Sequence, residues 1–252
     1  MWKNIGYGKC LSFIKCQLRP VGQAGTVQAP IRPAITISRM AGAGGYRVAS
    51  KLAEYLQTHV PGHCEWTVFD RNLIDMVLED HHLAKRIADF MAEDHKSMII
   101  DSVEEYLGLH PSSWTLMQQA AETVLHLAQW GYVVLVGRGG NVITSKLPNV
   151  FHVRLVGSLE ERIGRAQEDY NLERQAAIEF IKKEDNGRRR YLKENFDKDI
   201  DDPLLYHLII NTDLIRCDDA ACLIGDEVIK RFQLDRRRQA VGSHNAPQEG
   251  VA

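Results

Sequence analysis

Sixteen residues near the start of the chain, "AITISRMAGAGGYRVA" from 34 to 49, set three glycines between two arginines directly after a short apolar run. Glycines in such a cluster adopt positive φ and let successive backbone N–H groups turn toward one anion. A helix that starts at once adds the positive end of its dipole. Gly42, Ala43, Gly44 and Gly45 form the cradle, flanked by Arg39, Tyr46 and Arg47. The chemistry this supports is recognition of phosphate. More arginines follow: Arg138 in "GRGG", Arg162 and Arg165 in "SLEERIGRAQ", and Arg188 in "DNGRRRY". Guanidinium groups grip phosphate in a bidentate manner and screen its charge during transfer. Asp70 after "WTVF" is a carboxylate suited to orienting an acceptor or a magnesium-bound water.

The loop departs from the common phosphate-loop pattern. Laid on G-x-x-x-x-G-K-[ST], residues 39 to 46 match only at Gly44. Arg39 stands for the first glycine, Gly45 for the lysine and Tyr46 for the hydroxyl residue that binds magnesium. Losing one charge-assisted contact costs about 1.5–3 kcal/mol. Arg39 and Arg47 stand near enough in sequence to restore the missing positive charge. Two other readings stay open from the residues alone. A dinucleotide loop, G-x-G-x-x-G, begins well at Gly42 and Gly44 but meets Arg47 at the third glycine. A glycine-rich turn without a ligand is the other.

Elements of alternating type must hold these groups. Runs rich in Val, Ile, Leu and Phe predict buried strands at 34–38, 66–69, 132–136, 150–156 and 206–210. Helical patterns fall at 45–57, several times across 71–130, and at 158–169, 173–193 and 217–232. Ser158 and Glu161 form an S-x-x-E capping box. Strands alternating with helices predict an α/β fold of three layers around a mostly parallel five-stranded sheet, with ligands beyond the carboxyl ends of the strands. Each predicted strand is followed by polar or glycine residues that could serve there, as in "SRMAGAGG", "DRN", "GRGGN" and "NTD".

Bulk properties narrow the class. The chain has 252 residues, 44% hydrophobic and 25% charged, within the range of soluble globular proteins. A net charge of -2 gives no ground for a nucleic-acid binder, and no apolar run is long enough to span a membrane. Residues 1–53 carry eight Lys/Arg and no acid. We expect residues 1–33 to be an extension without packed structure, of which a weak transit peptide is the alternative, and 233–252 a solvated tail. Five cysteines make no CxxC pair, which predicts reduced thiols in a cytoplasmic protein. "HVPGHC" offers His59, His63 and Cys64, but no second pair sits at zinc-ligand spacing.

Six segments in this order, "ITISRMAGAGGYRVASKLAEYL", "FDRNLID", "VVLVGRGGNVI", "PNVFHVRLVGSLEERIGR", "KKEDNGRRRYLKENF" and "YHLIINTDLI", resemble the cytidylate kinase-like family of phosphate-loop nucleoside monophosphate kinases over about residues 34–232. The "ISR…GAGG" loop looks like that branch's own form. The resemblance implies a kinase: phosphoryl transfer from ATP, with magnesium carried by the nucleotide and Asp70 its candidate protein ligand, to a small acceptor such as CMP or dCMP. It implies that 71–130 is a helical acceptor-binding insertion and 158–200 a lid. By the same resemblance Arg138 would hold the acceptor phosphate, Arg162 and Arg165 would close over the triphosphate, and Asp185, Arg188 and Tyr191 would match D-x-x-R-x-x-Y. The acceptor loop D-[ST]-G-x-x-Y-R is here "DRNLIDMV", and an R-D doublet is replaced around Lys183 and Glu184. The residues that read a base therefore do not transfer. Oligomeric state is not fixed. Arg162 could instead pair with Glu161 or Glu168 on the surface. The alternative function is an inactive nucleotide-binding protein, a sensor or scaffold, favoured by Tyr46 in place of a magnesium ligand.

Overall fold

The computed structural model describes residues 2–17, 31–60, 64–74 and 114–234. Five strands form one sheet: β1 Ala34–Arg39, β2 Thr67–Asp70, β3 Val133–Val136, β4 Val150–Val156 and β5 Leu208–Asn211. All pair in parallel, in the order β2-β3-β1-β4-β5. The chain crosses over β1 between β3 and β4, so the order reverses at β1, where open sheets of this kind take ligands. The helices are α1 Trp2–Gln17, α2 Gly45–His59, α3 Trp114–Trp130, α4 Gly140–Ile143, α5 Leu159–Tyr170, α6 Arg174–Phe196 and α7 Cys217–Arg231. The three-layer α/β architecture and each predicted strand are present, with ends shifted by one or two residues.

Alternation along the strands divides the interior in two. Ile35 and Ile37 of β1, with Val134 and Val136 of β3, pack against Val48 and Leu52 of α2 and Ile224 of α7. Ala34, Val133 and Leu135 face the other way, toward Leu127 of α3 and Phe13 of α1. Thr36 and Ser38 share that second face of β1, and both line an open cavity.

Two expectations are corrected on this face. Residues 2–17 are not an unpacked extension: they form α1, which buries Cys10, Phe13, Ile14 and Gln17. The spacing of those four is an i, i+3, i+4, i+7 stripe, the mark of a helix with one buried face. Phe13 stands edge-on to Phe69 at 5.7 Å and close to Trp130 at 6.3 Å. Nor are all five thiols free. Cys16 and Cys64 form a disulfide across 48 residues of sequence, with Cα atoms 6.0 Å apart, inside the range the bond requires. Only the docking of α1 beside β2 brings them together, so no spacing in the sequence announces the pair. The inference to a reducing compartment therefore loses its basis for these two. Cys64 is also lost as a thiolate ligand. Cys10, Cys217 and Cys222 are free, and burial, with Asp70 next, pushes the Cys10 thiol up to about 12.

The expected insertion at 71–130 is described at 71–74, which is helical, and in α3; residues 75–113 lie outside the described residues, as does the expected tail beyond Leu234.

A buried histidine ties the sheet's stability to pH. His152 of β4 lies 2.8 Å from the Thr36 hydroxyl through Nδ1, and its backbone N–H donates to His207 Nδ1. Burial, then His207 and Arg231, lowers its pKa from 6.5 to about 4. The unfolded chain takes up the proton near 6.5 while the folded protein resists until about 4. Stability is thus complete above the first value, falls between the two, and stays level below the second as far as this group is concerned. The lost contribution is about 3 kcal/mol. Denaturant titrations at pH 7.5 and 4.5 check this: His152→Gln should show a clearly smaller loss than the parent, and equal losses would exclude His152 as the cause.

Candidate active site

The glycine loop follows the carboxyl end of β1. Gly42 and Gly44 have φ of +75° and +73°. A Cβ on Gly42 would overlap the backbone carbonyl of Arg162, and one on Gly44 would lie 2.7 Å from Cys217 Sγ. No side chain caps α2 at Gly44; the first bond along the helix runs from the Val48 N–H to the Gly44 carbonyl. The amides of Gly45, Tyr46 and Arg47 thus have no helical acceptor, at the positive end of a 15-residue helix. That is an anion cradle. Its flanking side chains part company. Tyr46 is 53% exposed, and Arg47 turns outward to pair with Asp169 and, at 3.8 Å, Glu168. Of the two arginines expected to replace the missing lysine, only Arg39 stays.

Arg39 crosses the space between two glycine loops. A Cβ on Gly45 would meet its Cγ at 2.9 Å, and one on Gly137 would overlap its Nη1. Among the described residues, its guanidinium makes no hydrogen bond or ion pair. Burial lowers its pKa to about 10, and Arg188 acts in the same direction, against Glu184 and Asp70. At neutral pH the group keeps its charge. A half-buried cation with no partner is costly until an anion joins it.

The second loop follows β3. Gly137, Arg138 and Gly139 are left-handed in succession, with φ of +91°, +56° and +66°. Such backbone costs a residue with a Cβ about 1–3 kcal/mol and clusters at functional sites. Between this loop, β1 and α6 lies a cavity of about 420 Å³. Arg39, Arg71, Arg138, Lys183, Arg188 and Arg190 line it, opposed by Glu184 and Glu194. Arg188 reaches the Arg39 carbonyl at 3.2 Å and Glu184 at 3.0 Å.

The remaining candidates form a clamp on the glycine loop. Asp185 accepts from the Ala41 N–H at 2.7 Å and from Arg162 Nη1 at 2.6 Å. Arg162 also donates to the carbonyls of Ala41 and Gly157, each at 3.1 Å. Arg165 donates to the Thr212 hydroxyl at 2.9 Å and carbonyl at 2.7 Å, and reaches Gly42 O at 3.4 Å. Arg162 is buried, so the surface pairing with Glu161 or Glu168 is not what forms. Both Asp185 oxygens are engaged, which argues against direct contact with an acceptor in this arrangement. The capping box is half present: the Glu161 N–H reaches Ser158 Oγ at 3.4 Å, while the Ser158 N–H goes to Asp213. Burial opposes ionisation of Asp213, but that bond and the nearby Arg165 and Arg162 hold its carboxyl below the usual range.

Several groups at the cavity were not foreseen. Ser38 accepts from Arg154 at 3.0 Å; the Tyr206 hydroxyl gives its one hydrogen to the Ile200 carbonyl at 2.8 Å and can accept from the Ser38 hydroxyl at 3.3 Å. Thr36, Asn141, Arg71, Lys183 and Arg190 complete the wall. The signal for Thr36 and Ser38 was there: polar residues alternating with Ile35 and Ile37 in a strand. Arg154 looked like an interruption of an apolar strand; its guanidinium lies over the Tyr206 ring at 5.6 Å.

A magnesium ion at this site would have to arrive with the phosphates it binds. Among the described residues no three His, Cys, Asp or Glu could cage a metal. Mg²⁺ commonly keeps waters and takes one or two carboxylates plus substrate phosphates. Asp70 acts on the charge of Arg39 and caps a turn through the Leu73 N–H at 2.9 Å, while the carboxylates that line the cavity are Glu184 and Glu194.

A parallel sheet, a glycine loop after the strand at its centre and cations converging beyond the strand ends define a phosphate-binding α/β protein of kinase-like build. The model of the cytidylate kinase-like family matches residues 34–214, and the chain belongs to that family. Membership supports a kinase-type phosphotransferase by class. A crystal structure of an uncharacterized protein from Eubacterium ventriosum superposes with a TM-score of 0.60 at 20% identity, covering 79% of this chain and 99% of that one. Shikimate kinase from Bacteroides thetaiotaomicron matches at a TM-score of 0.38 and 14% identity, over 83% of this chain and 98% of its own. No curated protein matches the sequence. Among the described residues no helix is long and apolar enough to cross a membrane.

Proposed function

We propose that the protein transfers the γ-phosphoryl group of ATP to a small anionic acceptor, with a nucleoside monophosphate such as CMP or dCMP as the first candidate. The observation that carries this reading is Arg39: a cation with no hydrogen bond or ion pair among the described residues, strung between the two glycine loops, the second of which bears Arg138. The first-turn amides of α2 seat the donor's phosphates. Arg39 bridges donor and acceptor, the role an ammonium group fills in loops that keep their lysine. Arg138 and Arg188 draw the acceptor phosphate into line. An oxygen of that phosphate attacks the γ-phosphorus as the bond to the β-phosphate oxygen breaks, and ADP leaves with the electron pair. The attacking group is already an anion, so no general base is required. Magnesium supplies further screening of the charge that spreads over the transferred group.

A second reading has one observation in its favour. With Tyr46 turned to solvent, the loop offers no hydroxyl to magnesium, as in a protein that binds nucleotide without transfer. Coupled ADP release with ATP and magnesium across CMP, dCMP, UMP, AMP and small hydroxylated acceptors separates the two. Release that depends on an acceptor supports the kinase. Saturable ATP binding with no turnover on any acceptor would replace it by the sensor or scaffold.

A further inference from the structure

The cavity has two unlike ends. At the rim, Arg39 and Gly137 sit where the phosphate cations gather. Inward, a Cβ on Gly140 would touch Thr36 Cγ2 at 3.3 Å, and Thr36 precedes Arg39 by three residues of β1, about 10 Å along the strand. At Gly139 the wall turns apolar: a Cβ there would meet Phe196 at 3.0 Å, Tyr191 at 3.4 Å and Leu192 at 3.6 Å. Ile200 also lines the cavity.

One polar group of the cavity wall has no use among the described residues. Asn141 lines the cavity and is 5% exposed, and its Nδ2 is buried with no hydrogen-bond partner among them. Buried donors left unmade are rare and call for an explanation. The neighbouring Thr36 hydroxyl is engaged by His152, and the Asn195 amide donates to the Tyr191 carbonyl at 2.7 Å. The terminal torsion of asparagine is soft, and rotation about it is the movement by which the donor would reach the cavity. A neutral amide buried in the cavity wall suits a neutral oxygen, whereas the charged rim suits phosphate.

We propose that Asn141 determines acceptor specificity by donating a hydrogen bond to an uncharged oxygen of the acceptor, such as a ring carbonyl, while the arginines hold its phosphate. This rests on the kinase reading above and extends it to the part of the acceptor remote from transfer.

The test compares CMP with ribose 5-phosphate, which keeps the phosphate and lacks the base, in the parent protein and in Asn141→Leu and Asn141→Asp. In the leucine variant CMP affinity should fall about 10- to 100-fold. Ribose 5-phosphate affinity and the KM for ATP should stay within about twofold. The melting temperature should hold or rise, because an unsatisfied buried donor has gone. Equal weakening of both ligands, or unchanged CMP affinity, overturns the assignment. Should neither variant fold, the side-chain amide resonances of Asn141 in the parent decide: a shift with CMP and none with ribose 5-phosphate supports it, and no shift with CMP sinks it. CMP turnover indifferent to Asn141 removes this assignment alone. A parent protein that neither binds nor phosphorylates any nucleoside monophosphate removes the nucleotide reading and the assignment together.

Discussion

Replacing Arg39 with methionine is expected to lower kcat by about 10³-fold or more, the range seen when a transition-state arginine is removed. The change should leave the fold intact. Its guanidinium has no hydrogen bond or ion pair among the described residues, so its loss orphans no other group. It also relieves the burial and the repulsion from Arg188 that depress its pKa to about 10. Methionine keeps an unbranched stem against Gly45. The melting temperature of the variant should therefore equal or exceed that of the parent, in contrast to its activity. Arg39→Lys should recover part of the rate, because it restores the charge without the bidentate fork. Steady-state kinetics with a scanning melt on the same samples checks both halves. Full activity in Arg39→Met would remove the central cation from the mechanism.

The opposite pattern is expected at Asp185. It joins α6 to the glycine loop through the Ala41 N–H and to α5 through Arg162, with both charged groups largely shielded from water. Removing one partner of a buried pair costs about 3–5 kcal/mol, because the other charge is left behind. Asp185→Ala should therefore lose about 3 kcal/mol in urea denaturation, toward the low end since neither side chain is wholly enclosed. Arg162→Met in the same background should add less than it costs alone, a coupling that a double-mutant cycle reads directly. Hydrogen exchange should rise first at the Ala41 amide. A loss below about 0.5 kcal/mol would mean that the clamp holds nothing, the level usual for plain surface changes.

These two residues also illustrate what a sequence displays and what it hides. Arg39 could be picked out beforehand because loop chemistry is local: glycines, an apolar strand before them and a helix after them lie within sixteen residues. The strands were equally plain, since a doubly covered parallel sheet needs continuous runs of Val, Ile and Leu. Asp185 and Arg162 carried the right residue types for phosphate work. What divides them from Arg39 is partnership at a distance: 144 residues separate Asp185 from Ala41. Arg47 stood as close to the glycines as Arg39, and only the direction of the helix turned it away. Asn141 sat unnoticed in "GRGGN" because an asparagine after glycines reads as a turn former. The stripe of α1 was visible at 10, 13, 14 and 17 but was masked by a lack of acids that suggested an unpacked extension instead.

That first helix bears on how the protein should be handled. The family match begins at residue 34, and a fragment cut to those bounds would discard α1. Phe69 and Trp130 would lose their aromatic cover, and Cys64 would become a solitary, reactive sulfur beside an oily scar. Such a fragment would clump or cross-link in storage, and its silence in an assay would say nothing about the enzyme.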